Sequence, residues 1–201
     1  MSQRIDRTRE TYDKVAARFL ENCRDRTPIA PWLERFARRV GAGAAVLDLG
    51  AGPGFDSAEL RRFGLSPISL DLSLGMLRAG LREFPGPRVR GDARHLPFPD
   101  GSLAGVWANA SLLHLPAADA ATALRQVRRV LRRYGVLHVS VKSGAGAGWE
   151  SERYGEPRWF QYWSETDLDT LLAQSGFEIT ESWANSTPRA DWLVRHARRA
   201  D

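Results

Sequence analysis

Three acidic residues, each at the end of a short apolar run, are the side chains of this sequence best placed to do chemistry with a ligand. Asp48 stands two residues before Gly50-x-Gly52-x-Gly54, Asp71 ends Pro67-Ile68-Ser69-Leu70-Asp71, and Asp92 follows Arg88-Val89-Arg90-Gly91. A glycine-rich turn between a strand and a helix lets the backbone approach a ligand closely and aims helix N–H groups at it. The dinucleotide fingerprint is Gly-x-Gly-x-x-Gly, and the spacing here departs from it. A carboxylate at position 48 would repel a pyrophosphate and suit a cationic ammonium. Asp71 is placed to accept both hydroxyls of a ribose, and Asp92 to accept the exocyclic amine of adenine. With no P-loop lysine beside them, the three acids favour a cationic, phosphate-free adenosyl ligand. The turn taken alone allows any nucleotide cofactor, or simply a tight connection.

At these residues the sequence resembles the class I S-adenosylmethionine-dependent methyltransferases, in particular the small branch called methyltransferase type 11. The likeness spans nearly the whole chain. Val46-Leu47-Asp48-Leu49-Gly50-Ala51-Gly52-Pro53-Gly54 is similar to the family's first motif, and Leu70-Asp71-Leu72-Ser73-Leu74-Gly75-Met76-Leu77 to its ribose-binding segment. The stretches Gly91–Ser102 and Ala108–His114 resemble the adenine-side segment and the residues after the fourth strand. Ala51 and Arg132-Arg133-Tyr134-Gly135 depart from the family pattern, the second by replacing a Lys-Pro-Gly-Gly type of turn.

The resemblance implies a Rossmann-like, doubly wound α/β fold with a seven-stranded, mostly parallel sheet and an antiparallel C-terminal strand. It places Asp48, Gly50 and Gly52 around the methionine part of S-adenosylmethionine, Asp71, Leu72 and Met76 at the ribose and adenine, Asp92 and Ala93 at the adenine edge, and Asn109 and Ala110 beside the sulfonium. Tyr12 and Arg18, in a helix similar to the family's N-terminal Tyr-Asp-x-Val-Ala segment, are expected to close over the cofactor, the arginine suiting its carboxylate.

For the methyl acceptor the candidates are His114, Tyr154, Arg158 and Trp159. The aromatic segment Trp149–Trp163 is read as an acceptor-site wall or lid hinged at Gly144, Gly146 and Gly148, with Trp163 set aside as a helix staple and Phe160 as buried. A sulfonium methyl is already electrophilic, so no metal is required and alignment carries much of the work. A hydroxyl or protonated amine acceptor also needs a base, for which His114, Tyr154 and Glu152 are candidates. His114 reads equally well as a structural histidine, and His138, between Leu137 and Val139, as a core residue.

The elements that must hold these residues follow from periodicity. Tyr12, Val15, Ala16, Phe19 and Leu20 fall at helical spacing within 8–22, and Thr27-Pro28 reads as the capped start of a second helix ending near Gly41. Short apolar runs at 44–49, 67–71, 88–92, 103–108 and 135–141, separated by helices or short crossovers, read as buried parallel strands. Ser164-Glu165-Thr166-Asp167 forms a capping box for a helix to Gln174, and 177–182 and 191–197 form a hairpin through Asn185–Pro188. One domain is expected over 1–201: N-terminal helices to residue 43, a cofactor-binding core at 44–142, an acceptor-site loop at 143–163, and a C-terminal helix and hairpin at 164–201.

The chain has 201 residues, 43% of them hydrophobic and 26% charged, which suits a folded globular protein. Its net charge of +5 is carried almost wholly by arginine. Arg125, Arg128, Arg129, Arg132 and Arg133 fall at helical spacing and read as an outer helix face. Cys23 is the sole cysteine, which excludes an intrachain disulfide and a cysteine metal cage and suits a reducing compartment. No apolar run reaches membrane-spanning length and no export segment is expected, so a cytoplasmic enzyme acting on a small molecule is the leading reading. An RNA (tRNA) methyltransferase and a non-catalytic S-adenosylmethionine-binding subunit are the alternatives.

Overall fold

The computed structural model describes residues 3–201. In chain order the elements are α1 (Gln3–Asn22), α2 (Ala30–Val40), β1 (Ala45–Leu49), α3 (Phe55–Arg62), β2 (Ser66–Asp71), α4 (Leu74–Ala79) and β3 (Arg88–Arg90). They continue with β4 (Leu103–Asn109), α5 (Ala117–Val130), β5 (Leu131–Lys142), β6 (Ala147–Glu150), β7 (Arg158–Gln161), α6 (Glu165–Gln174), β8 (Phe177–Thr187) and β9 (Ala190–Arg199). Seven strands form one sheet in the order β3-β2-β1-β4-β5-β9-β8. Pairing is parallel from β3 to β5, and β9 runs antiparallel between β5 and β8. The expected α/β sheet, its strand count and its antiparallel C-terminal strand are all present.

The apolar runs become strands because both sheet faces are covered. On one face α2 and α3 pack Leu33, Phe36, Val40 and Leu60 against Val46 and Trp107. On the other, α5 and α6 pack Leu124, Val127 and Leu172 against Leu47, Val106 and Leu137. Strand order reverses between β1 and β4, so the connections after these two strands diverge and leave a crevice at their C-terminal ends. Helix α1 lies over that crevice, and contacts α4 and β7.

Four local expectations change. Helix α1 begins at Gln3 rather than near Thr8, because Ile5 and Thr8 continue its buried stripe. Thr27 does not cap α2: it opens a 3-10 turn with no side-chain cap, and its N–H donates to Asp25 Oδ1 at 2.9 Å. The segment 143–163 is not an open loop, since β6 and β7 pair as a separate two-stranded ribbon with Trp149 opposite Trp159. Cross-strand aromatic pairing stabilises such a short ribbon, and these two rings meet edge to face with centroids 5.6 Å apart. The C-terminal hairpin is longer than read, because Asn185, Ser186 and Thr187 pair with Trp192, Asp191 and Ala190 and only Pro188 and Arg189 turn. At α6 the expected cap holds: Ser164 Oγ accepts from the Asp167 N–H at 3.1 Å, with Trp163 and Leu168 buried on either side.

Candidate active site

The glycine turn after β1 is built from backbone that only glycine enters freely. Gly50, Gly52 and Gly54 have φ of 75°, 55° and 102°. Gly50 has a second constraint, since a Cβ there would lie 2.3 Å from Ser111 Cβ. The Gly50 and Ala51 N–H groups donate to Leu70 O, tying the turn to the end of β2. Asp71 then clamps both sides of the crevice: Oδ2 accepts from the Gly52 N–H and Oδ1 from the Ser73 N–H, each at 2.8 Å. Each carboxylate oxygen keeps a further lone pair, and Asp71 lines the crevice.

The cleft has a free volume of about 220 Å3 and is lined at its floor by Asp48, Asp56, Asp71 and Asp92. Asp48 is buried and accepts from Ser57 Oγ at 2.6 Å. Burial first, and then the neighbouring Asp56 carboxylate, push its carboxyl up to about 8. Burial pushes Asp71 up to about 6, against the Ser73 and Gly52 N–H groups that favour its charge. Burial works against ionising Asp92 too, but its ion pair with Arg94 at 2.7 Å prevails and holds it below the usual carboxylate range. Asp56, the second residue of α3, accepts from Arg26 Nη1 at 2.8 Å, Trp107 Nε1 at 2.8 Å and Asn109 Nδ2 at 2.9 Å. At the end of β4, Ala110 holds a φ of 52°, and its N–H donates to Ser140 Oγ, which donates to Asn109 Oδ1. A non-glycine residue in this region is strained, and here three hydrogen-bonded residues hold it.

A family model described as a methyltransferase domain matches residues 47–139, the span from β1 through most of β5 that builds this cleft. Over that span the chain is similar to the class I S-adenosylmethionine-dependent methyltransferases. Among sequence relatives, the demethylmenaquinone methyltransferase of Mycobacterium tuberculosis is 40% identical over 105 residues, covering 52% of this chain and 44% of that protein. That of Mycobacterium sp. (strain KMS) is 37% identical over 136 residues, covering 64% and 56%. The chain thus spans about half the length of the sequence relatives it matches. Among solved structures, the Burkholderia thailandensis 1,6-didemethyltoxoflavin-N1-methyltransferase, with bound 1,6-didemethyltoxoflavin and S-adenosylhomocysteine, superposes with a TM-score of 0.78 at 23% identity, covering 96% of this chain and 87% of that one. At that identity the likeness speaks for the fold.

The methyltransferase fold brings most of the expected cofactor residues to one place. Tyr12, Asp48, Gly50, Gly52, Asp71, Leu72, Met76, Asp92, Ala93, Asn109, Ala110 and His114 all line the cleft. Arg18 does not. It is exposed, and donates to the Tyr154 carbonyl at 2.6 Å. A different guanidinium, Arg26, reaches the cleft beside Asp56.

The acceptor-side expectations need more correction. Tyr154 does not line the cleft: it is buried with its hydroxyl 3.3 Å from Cys23 Sγ, and burial followed by that thiol raises its pKa. Arg158 and Trp159 are also buried behind α1 rather than in the cleft. Arg158 is caged by the Tyr12, Tyr154 and Phe160 rings, and Trp159 supplies its N–H to Thr8 Oγ1 and its carbonyl to His114 Nδ1. That carbonyl can only accept, so Nδ1 carries the proton, and Nε2 accepts the Tyr12 hydroxyl at 2.7 Å. Burial pushes His114 down to about 3. A neutral imidazole whose free nitrogen is already engaged is a poor general base. It serves instead as a latch between α1 and the turn after β4.

Arg26, Asp56, Ser111 and the α1 residues Ile5, Thr8 and Arg9 line the cleft without having been expected there. Asp56 had a signal, an acid two residues past the last glycine of the turn. Arg26 had none, because its reach depends on how the 3-10 turn redirects the chain.

The residues present fit the cofactor of this family. Carboxylates suited to an ammonium, a guanidinium suited to a carboxylate, and a strand-end acid with lone pairs left for a diol line one cleft that holds no lysine. Ser111 Oγ, buried at the cleft wall, has no hydrogen-bond partner among the described residues.

Proposed function

We propose that this chain transfers a methyl group from S-adenosylmethionine to a small-molecule acceptor by in-line displacement. The observation that carries the reading is the single arrangement of Asp48, Arg26 and Asp71 around the Gly50 turn, roofed by α1. When bound, the cofactor supplies a methyl carbon on a positively charged sulfur, already open to nucleophilic attack. Asp48 pairs with its ammonium and Arg26, in place of Arg18, with its carboxylate. Asp71 accepts from the ribose hydroxyls, Leu72 and Met76 pack the adenine, and Asp92 with Ala93 bounds the adenine edge. Asn109 and Ala110 sit beside the sulfur.

The acceptor binds between α1 and the turn holding Ser111, His114 and Leu115, with its nucleophile held about 3 to 3.5 Å from the methyl carbon. With His114 neutral and latched and Tyr154 turned away, the chain supports an acceptor whose nucleophilic atom already carries a free lone pair at neutral pH. Residues 143–163 act as a buttress in this reading. Thr11 Oγ1 donates to Pro157 O at 2.6 Å and Thr8 Oγ1 accepts from Trp159, so the ribbon sets where α1 lies, and α1 bounds the acceptor. The division into N-terminal cover, core at 44–142, and C-terminal helix and hairpin is retained on those terms.

The arginines at the end of α5 and the start of β5 do not favour an RNA acceptor. Arg129 is spent on Leu96 O, Phe98 O and Asp100, and Arg133 on Asp201. Among the described residues no helix is long and apolar enough to cross a membrane. The free buried Cys23 supports a reducing, cytoplasmic setting. Calorimetry with S-adenosylmethionine, S-adenosylhomocysteine and NAD tests the cofactor: micromolar binding of the first two, lost in Asp71→Ala, is expected, and preference for NAD refutes it. Parallel metabolite and tRNA panels scored by S-adenosylhomocysteine release test the acceptor. Turnover confined to tRNA overturns the small-molecule reading, and tight cofactor binding with no turnover points to a non-catalytic subunit.

A further inference from the structure

Asp56 is a buried carboxylate that the reading above does not use, yet three side chains converge on it at the cleft. Its Oδ1 takes Arg26, and its Oδ2 takes both Trp107 and Asn109. Those three partners come from the segment before α2 and from both the middle and the end of β4. Trp107 is fixed independently, because its ring stacks on His138 with centroids 3.6 Å apart and meets Phe36 edge-on. Asp56 therefore transmits a rigid position in the sheet to Arg26, one of the two arginines that line the cleft.

Arg26 is well suited to be positioned in this way. Its Nε donates to Asp25 O at 3.0 Å and its Nη2 to Cys23 O, and the guanidinium lies 5.0 Å from the centre of the Phe55 ring. With Nη1 on Asp56, three of the five N–H bonds of the group are engaged within the chain and two remain for a ligand. We propose that Asp56 is a positioning residue for cofactor binding, holding Arg26 at the place where the carboxylate of the cofactor's amino-acid part is received. The inference rests on S-adenosylmethionine being the cofactor.

An Asp56→Asn variant keeps one side-chain oxygen, which can still accept from Trp107 and Asn109, but turns an NH2 toward Arg26, donor against donor. Arg26 is then released while the sheet side of the site is retained. The probes are S-adenosylhomocysteine, which has the amino-acid part, and 5′-methylthioadenosine, which lacks it, titrated calorimetrically into the full chain.

Asp56→Asn is expected to weaken S-adenosylhomocysteine about tenfold, the scale of one charge-assisted hydrogen bond, and to leave 5′-methylthioadenosine within about twofold of wild type. Arg26→Met, which leaves Asp56 in place, is expected to give the same selective loss, and the double variant to be no weaker than Arg26→Met alone. Equal weakening of both ligands, or additive losses in the double variant, overturns the inference and makes Asp56 a structural residue only. Failure of the wild-type chain to bind either ligand would instead remove the cofactor reading itself.

Discussion

Cofactor binding should be coupled to release of a proton from Asp48, and the coupling has a calculable size. In the free cleft the Asp48 carboxyl is pushed up to about 8, by burial first and by Asp56 second; Asp71 adds to this, the Ser57 hydroxyl opposes it, and Arg88 and Arg26 are the nearby cations. The group is therefore mostly protonated at pH 7, and pairing with an ammonium requires it to ionise. The apparent dissociation constant is multiplied by 1 + 10^(8−pH), about 2 at pH 8, about 10 at pH 7 and about 100 at pH 6. Deprotonation of the cofactor's α-amine imposes the opposite limb at higher pH. Affinity should then fall about 50-fold from pH 8 to pH 6, a difference of about 2 kcal/mol. Asp71, pushed up to about 6, adds at most about twofold at the acid end.

Calorimetry of S-adenosylhomocysteine binding from pH 6 to 9, in two buffers of different ionisation enthalpy, reads both quantities. At pH 7 close to one proton should leave per ligand bound. The Asp48→Asn variant should bind weakly with little pH dependence, and 5′-methylthioadenosine, with no amine, should lack the limb in wild type. A flat affinity between pH 6 and 8, or the same acid limb for both ligands, would falsify the assignment of Asp48 to the ammonium.

Stability should move the other way. Asp48 has a folded pKa raised above its ordinary 3.8, so its contribution is intact below about pH 4 and is lost as pH rises toward 8; Asp48→Asn should raise the melting temperature at pH 8, and a lowered one refutes the charge argument. Tyr154→Phe should leave kcat and KM within about twofold of wild type by S-adenosylhomocysteine release, since its hydroxyl faces Cys23. A larger loss of kcat would return Tyr154 to the reaction. The rate profile should show no inflection near pH 6.5 from His114, which burial holds at about 3, and His114→Gln should raise acceptor KM and speed amide exchange in α1 more than it lowers kcat. Gly50→Ala should lose cofactor affinity at least tenfold while remaining folded by circular dichroism, because the new Cβ meets Ser111 at 2.3 Å in a positive-φ backbone.

The parts of the site that could be read in the sequence are those whose position follows from a strand end. Buried parallel strands are continuous apolar runs, so Asp48 and Asp71 announce where β1 and β2 end, and the sheet sets those two strands side by side, whereas Asp92 follows the partly exposed edge strand β3. Residues on α1 were legible only with the helix angle taken into account. From Tyr12, seven residues return Phe19 to within about 20° of the same face, whereas six carry Arg18 about 120° away from it, which is why it misses the cleft. The ribbon of β6 and β7 lay beyond such reasoning. Its strands have four residues each, β6 contains a glycine, and the fates of Tyr154, Arg158 and Trp159 are set by contacts with Cys23, Tyr12 and Thr8 more than a hundred residues earlier.

One row of the sheet explains how a carboxyl as costly as Asp48 is carried in the core. Ser69, Asp48, Trp107, His138 and His196 stand opposite one another across β2, β1, β4, β5 and β9, and all are buried. A sheet covered on both faces normally fills such a row with aliphatic side chains. Here the polar atoms are passed from neighbour to neighbour: Ser57 bridges Asp48 and Ser69, Trp107 reaches Asp56, and His196 Nε2 meets His138 Nδ1 at 3.0 Å. Burial, with His196 as neighbour, holds His138 well below its ordinary range, and burial takes His196 down to about 4 despite Glu181 beside it. The histidine end of the row stays neutral from about pH 5 upward, so it stacks Trp107 in place without titrating. Proton exchange within the row near neutral pH is thereby confined to Asp48, the one member that faces the cleft, which makes the acid limb of cofactor binding a direct reading of that residue's charge.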